Sequence, residues 1–282
     1  MGRLSANPGA KGSSLASPKR LDRKPDIHHV VLGDILFDTW FPSFYPDELV
    51  GKELDRLYIC QWCFKYSKEQ QQYLTHTLFA QNLSLFAKLF LDNKSVFFDV
   101  ASFDYYALVY QPSQTAPKPS PQIIGFFSKE KMSWDNNNLA CILVFPPWQR
   151  KGLGKVLMGV SYELSEREGR YGGPEKPLSE LGKRGYMQFW EARIARTILG
   201  MKGRSSIIVS DVAKEAWVLT EDVIASLNRM GVLGAKRKDG SLAVSKKNVK
   251  EWAARTNADL RSPISEDAFM GAWAGEDEDM IE

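Results

Sequence analysis

Residues 139–155 read LACILVFPPWQRKGLGK, and the rest of the chain is parsed outward from them. Leu139 to Phe145 is apolar on both faces, the pattern of a strand covered on two sides and central in its sheet. Pro146 and Pro147 end it, because neither can donate to a ladder. Gly152 and Gly154 allow a tight turn. From about Gly154 to Arg167, Val156, Leu157, Val160 and Leu164 then recur on one side of a helix. Strand, glycine turn and helix together aim free backbone N–H groups at an anion, and Arg150, Lys151 and Lys155 add positive charge beside them. The spacing fits neither a Walker A loop nor the G-x-G-x-x-G of a dinucleotide fold. Taken alone, Gly-x-Gly after a strand is also the mark of a plain tight turn.

Working back toward the N-terminus, Ile123 to Phe127, Tyr105 to Tyr110 and Ser95 to Phe98 have strand character, and the four prolines of 111–121 require a loop. Gln81 to Leu91 carries apolar residues at helical spacing and predicts a buried helix. Val30–Leu32 and Ile35–Phe37 flank a Gly33-Asp34 turn, a hairpin signal, and Leu57–Cys60 is a further strand. Residues 1–26, rich in Ser, Pro, Gly and Lys, are expected to be a flexible basic tail. Downstream, Asp211–Trp217 predicts a short helix. Thr220 caps a second, with Val223, Leu227 and Met230 on one face and Gly231 as its stop. Leu242–Val244 after an Asp-Gly turn suggests a wing, so 201–262 reads as a winged-helix-like lobe, and 263–282 as an acidic tail ending near Glu276–Asp279.

A 282-residue chain with 44% hydrophobic residues can bury a core, which excludes wholesale disorder. No apolar run approaches the roughly 18–20 residues of a membrane span, and no signal peptide or myristoylation signal is expected at the start. Three cysteines are too few for a disulfide scaffold and point to a reducing, intracellular setting. A net charge of +3 decides nothing about nucleic acid, but Lys19, Arg20, Arg23 and Lys24, and later Lys236, Arg237 and Lys238, are basic clusters of the kind used for nuclear targeting or phosphate contact.

The 139–155 run resembles motif A of the MYST histone acetyltransferases. So do SYELSERE at 161–168, GPEKPLSELG at 173–182 and QNLSLFAKLFLDNK at 81–94, a match covering about residues 27 to 235. Ala80 and Ser84 resemble the fungal silencing-type branch. The resemblance implies an α/β, GNAT-like acyl-coenzyme A transferase core with a mixed, bent sheet over 81–200, and a zinc-finger-like N-terminal lobe over 27–80. It implies acetyl-coenzyme A as cosubstrate, held by the backbone of Ile142, Leu143 and Val144, by Gln149, Arg150, Lys151, Gly152, Leu153, Gly154 and Lys155 around its pyrophosphate, and with Ser179 nearby. Glu175 falls on the general base. A lysine ammonium, with a pKa of about 10.4, needs one at neutral pH, and a partly buried carboxylate with a raised pKa would serve. Cys141 falls on the active-site cysteine. Direct attack by lysine is favoured over an acetyl-cysteine intermediate, with Cys141 lining the site. Lys94 falls on a self-acetylated lysine.

Cys60, Cys63 and His76 begin a zinc site of two cysteines, a histidine and a fourth cysteine. The family's fourth cysteine is replaced by Ala80, and the longer stretch that members carry after the histidine is shortened here. Zinc is therefore expected to bind below full occupancy, if at all. The implied substrates are histone tails in nucleosomes, histone H4 first, with the protein acting in the nucleus in chromatin silencing and transcription regulation as one subunit of a larger complex. Direct sequence-specific DNA binding and membrane association are not expected. The alternatives are a chromatin-binding winged-helix protein and a catalytically impaired pseudo-acetyltransferase, the latter opposed by the presence of Cys141, Glu175 and the whole 149–155 turn.

Overall fold

The fold was described from a computed structural model. It describes residues 26–269 apart from 33–34, 43, 47, 49–52, 60–63, 65, 69–78, 93, 95–99, 114–120, 203–205, 237, 239 and 266–267. Cys60, Cys63, His76, the strand expected at 95–98, residues 1–25 of the expected basic tail and residues 270–282 of the expected acidic tail lie outside the described residues.

The architecture is mixed α/β, with nine strands and six α-helices among the described residues. Strands β1 (Ile27–Leu32), β2 (Ile35–Asp38), β3 (Leu54–Ile59) and β4 (Tyr66–Ser67) form one sheet in the order β2-β1-β3-β4. The β1–β2 pair is antiparallel, as the hairpin signal required, and β1–β3 is parallel. Helix α1 (Phe79–Lys88) is buried on nearly every face from Leu83 onward. Phe86 holds it in place, ringed edge-on by Phe37 and Phe145, whose centroids lie 6.4 and 4.8 Å away.

Strands β5 (Phe103–Tyr110), β6 (Gln122–Glu130) and β7 (Cys141–Val144) form an antiparallel sheet in that order. The central strand is thus β6, whose interior residues are all buried, and not the 139–145 segment. That segment is covered on both faces as expected: Leu143 packs into the N-terminal core, and Ile142 and Val144 pack against the C-terminal one. Over Cys141–Val144, however, it pairs with β6 alone. Double coverage and central placement are separate properties, and apolarity reports only the first. Aromatic ladders run across the sheet, Tyr105 on Phe126 on one face and Tyr106 on Phe127 on the other, the latter pair with centroids 4.7 Å apart. Gly125 makes the β6–β7 contact close, since a Cβ there would stand 2.8 Å from the Leu143 carbonyl oxygen.

Helix α2 (Leu153–Arg167) packs on β7 and on α3 (Glu180–Gly200). The Trp190 indole donates to the Tyr162 hydroxyl at 2.7 Å, tying α3 to α2 inside the core. Beyond α3 come β8 (Ser206–Ile208), α4 (Val209–Ala216), α5 (Thr220–Met230), β9 (Ala243–Ser245) and α6 (Lys246–Thr256). The predicted wing strand pairs with β8, which precedes the helices in sequence. Gly231 ends α5 in the left-handed conformation as expected, but the residue before the helix is Leu219 and no side chain caps it, so Thr220 is the first helical residue instead of the cap.

Candidate functional site

Three chain segments meet at the start of β7. Cys141 opens the strand half-buried, and its backbone N–H donates to Ser128 Oγ at 3.3 Å. Lys94, just beyond α1 and only 8% exposed, directs its ammonium at Cys141 Sγ, 3.5 Å away. From the other side, Pro174 bridges Leu139 in a parallel sense, and the Glu175 N–H donates to the Leu139 carbonyl at 2.9 Å. That hydrogen bond sets Glu175 beside the strand entry, two residues from Cys141. Sequence placed these residues separately; the fold brings Cys141, Glu175 and Lys94 to one place.

Glu175 as a residue is exposed, more so than a partly buried cleft would leave it. Its carboxyl is still partly desolvated, and this is the main reason its pKa lies above the ordinary glutamate value. The negative charge of Glu130, at the end of β6, adds to the rise, and the Lys94 ammonium opposes it. Glu130 is a contributor that sequence patterning did not single out, because its proximity depends on the β6–β7 register.

The loop carrying Glu175 is fixed at several points. Asn138 N–H donates to the Gly173 carbonyl at 2.8 Å, and Tyr171 donates from its hydroxyl to the Val218 carbonyl. Lys176 donates to Asp222 Oδ1 at 2.9 Å and to Glu221 Oε1 at 2.8 Å, both on α5. Ser179 is the N-cap of α3, its Oγ accepting from Gly182 N–H at 3.1 Å, so it has a structural duty whatever else it touches.

At the other end of β7 the chain turns through Pro146–Trp148 into α2. Gln149 Nε2 donates to the Val144 carbonyl at 2.8 Å and folds the turn over the strand end. Arg150 (φ 63°) and Gly152 (φ 81°) are both left-handed, and this curls the N–H groups of the first helical turn outward. A Cβ on Gly152 or Gly154 would meet nothing within 4 Å, so the space before the turn is open. Phe145 N–H donates to the Ile124 carbonyl, and by the alternation of an antiparallel ladder the polar backbone groups of Ile142 and Val144 face away from β6. An open strand edge leads into a concave, cationic helix start, a geometry that fits an extended chain ending in a pyrophosphate. Among the described residues no group of three His, Cys, Asp or Glu is placed to hold a metal, and Cys60, Cys63 and His76 are not among them.

Residues 70–269 match the MOZ/SAS family, and residues 24–78 match the MYST family zinc finger domain. The chain belongs to the MOZ/SAS family. Similar proteins include histone acetyltransferase mst1 of Schizosaccharomyces pombe, 34% identical across 79% of this chain and 52% of that protein. The histone acetyltransferase MOF of Drosophila melanogaster is 33% identical across 80% of this chain and 30% of that protein. The histone acetyltransferase esa-1 of Neurospora crassa is 32% identical across 85% of this chain and 52% of that protein. The chain thus spans about half the length, or less, of these MOZ/SAS relatives. The Cys141, Glu175 and 149–155 segments all lie inside the MOZ/SAS match, while Cys60, Cys63 and His76 lie inside the zinc-finger match.

Proposed function

We propose that this chain is a histone lysine acetyltransferase that uses acetyl-coenzyme A. The observation that carries the proposal is the hydrogen bond from Glu175 N–H to the Leu139 carbonyl, which sets a carboxylate of raised pKa beside the entry of an open-edged strand leading to an anion cradle. The histone acetyltransferase names of its relatives agree with it.

In the proposed reaction the acetyl-coenzyme A pantetheine lies along β7 against the Ile142 to Val144 backbone, and its pyrophosphate meets the N–H groups and cations of 149–155. Glu175 takes a proton from the substrate lysine ammonium, directly or through water. The freed amine attacks the thioester carbonyl, and the tetrahedral adduct collapses. The new C–N bond replaces the C–S bond, coenzyme A leaves as thiolate, and the proton lost from nitrogen balances the thiol. Cys141 lines the acetyl group and forms no covalent intermediate. Lys94, beside Cys141 and the base, is the lysine placed for self-acetylation.

The fold proposed around this site is a GNAT-like core over 81–200, with a zinc-finger-like lobe over 27–80 and a winged-helix-like lobe over 201–262. The substrate proposed is a histone tail in nucleosomes, histone H4 first, and the setting a nuclear complex acting in silencing. One experiment tests the whole: the protein is incubated with labelled acetyl-coenzyme A and nucleosomes, and the label is mapped. Label on H4 tail lysines supports the proposal; no label on any histone, with acetyl-coenzyme A bound, overturns it.

A further inference from the structure

The turn between β6 and β7 carries the two most exposed large apolar side chains among the described residues, Trp134 at 99% and Met132 at 81% exposure. An indole left almost wholly in water forgoes the burial through which tryptophan stabilises a fold, so Trp134 adds nothing to packing. The backbone beneath it is nevertheless fixed. Lys131 N–H donates to the Ser102 carbonyl at 2.9 Å, Arg170 Nη1 to the Lys131 carbonyl at 3.2 Å, and Asn137 N–H to Ser133 Oγ at 3.1 Å. Asn136 is left-handed (φ 55°), and its carbonyl oxygen presses so closely on Gly172 that a Cβ there would stand 1.7 Å away. Trp134 is thus held out into solvent on a tied-down turn.

That turn stands beside the proposed base. Asn136 is two residues after Trp134, the Gly172 it touches is three before Glu175, and Asn138 N–H donates to the Gly173 carbonyl between them. By chain reach, Trp134 and Glu175 are at most roughly 20 Å apart, the length of about six extended residues. Carboxylates accompany this path. Asp135 follows the indole in sequence, Glu130 lies where β6 enters the turn, and its charge reaches Glu175 at the far end. Of the nearby cations, Lys131 is the one within the turn, while Lys129 and Arg170 both pair with Glu168. An open aromatic face and neighbouring carboxylates attract the same kind of group, a cation.

We infer that Trp134 is a specificity-determining anchor for the acceptor peptide, its indole face taking a Lys or Arg side chain within about six residues of the lysine that is acetylated. This rests on the lysine acetyltransferase reading above and extends it from the reacting lysine to the sequence around it. A tryptophan on a fixed backbone has two side-chain torsions to restrict, so contact costs little freedom. Met132 adds apolar area for the aliphatic stem of the bound residue.

The test is steady-state kinetics of the full chain at saturating acetyl-coenzyme A with two acceptor peptides. One carries arginines within about six residues of a central lysine, and the other has glutamine in their place. Wild type is compared with Trp134→Phe, Trp134→Leu and Trp134→Ala, which keep the fold because the side chain is almost wholly exposed. The wild type should show the lower KM for the arginine peptide. Trp134→Ala and Trp134→Leu should shrink the KM ratio about three- to tenfold, and Trp134→Phe, which keeps a π face, should retain most of it. Turnover and KM for acetyl-coenzyme A should stay constant. A ratio unchanged in Trp134→Ala, or kept as fully by Leu as by Phe, overturns the inference, as does a fall in kcat for both peptides alike. If no form acetylates either peptide, the transferase reading fails instead, and fluorescence then decides the anchor by itself. Quenching by the arginine peptide that Trp134→Phe abolishes would support it; no quenching, or the same quenching in both forms, would overturn it.

Discussion

The Lys176 ammonium lies 2.9 Å from Asp222 Oδ1, joining the residue after the proposed base to a carboxylate on α5 that is 6% exposed. Its second oxygen has no hydrogen-bond partner among the described residues. Burial raises the Asp222 pKa above the ordinary aspartate value, although Lys176 pulls it down. A raised folded-state value means that this group's contribution to stability is present at low pH and lost as pH rises through that value. Removing Lys176 leaves the buried charge uncompensated and raises the value further. Lys176→Met should therefore cost about 1–2 kcal/mol near neutral pH, discounted for the half-exposed ammonium, and progressively less as pH falls into the carboxylate range. Urea unfolding at several pH values measures this, and a penalty that does not vary with pH would contradict it.

The same ion pair should act on the base loop. Lys176→Met is expected to lower kcat several-fold with little change in KM for acetyl-coenzyme A, and Lys176→Arg to restore most of it. Steady-state kinetics checks this; equal loss in both variants would mean that Lys176 has no positioning role.

Glu175→Gln should lower kcat by roughly 10²–10⁴. In the wild type, activity should fall as pH drops through the Glu175 value, which desolvation, and then Glu130, set above the ordinary one. Glu130→Gln removes one raising influence and should move that acid limb to lower pH. An unmoved limb would show that Glu130 does not face the base.

Cys141→Ala should keep turnover within a few-fold, because direct attack needs no thiolate, and orders-of-magnitude loss would favour an acetyl-cysteine route. Mass spectrometry of active protein should find acetyl on Lys94, whose ammonium lies 3.5 Å from Cys141 Sγ. Wholly unmodified Lys94 would contradict the self-acetylation proposal.

Metal analysis should return less than one zinc per chain, on the proposal that Cys60, Cys63 and His76 are its protein ligands and Ala80 replaces the fourth. A full equivalent that survives chelation would show that a fourth ligand exists.

Sequence by itself determined a good deal. The apolar run, two prolines and glycine turn of 139–155 specified strand, stop and helix start, because each depends on local backbone rules. The β1–β2 hairpin and the Gly231 stop were legible for the same reason. Helix α3 was not. It packs against α2, α4, α5 and α6 at once, so its apolar residues form no single stripe and 21 helical residues carry no clear period. Tertiary structure alone decided that Cys141–Val144 lies at a sheet edge, paired with β6 alone, since that depends on which strands pair. It alone set Glu130 near Glu175, Asp222 against Lys176, and Arg196 beside Arg261, contacts between residues 45 to 65 positions apart that no local pattern encodes. The proposed anion cradle could be read from one stretch of chain because its donors would be backbone groups in sequence; the surroundings of Glu175 are made by side chains that only folding brings within reach.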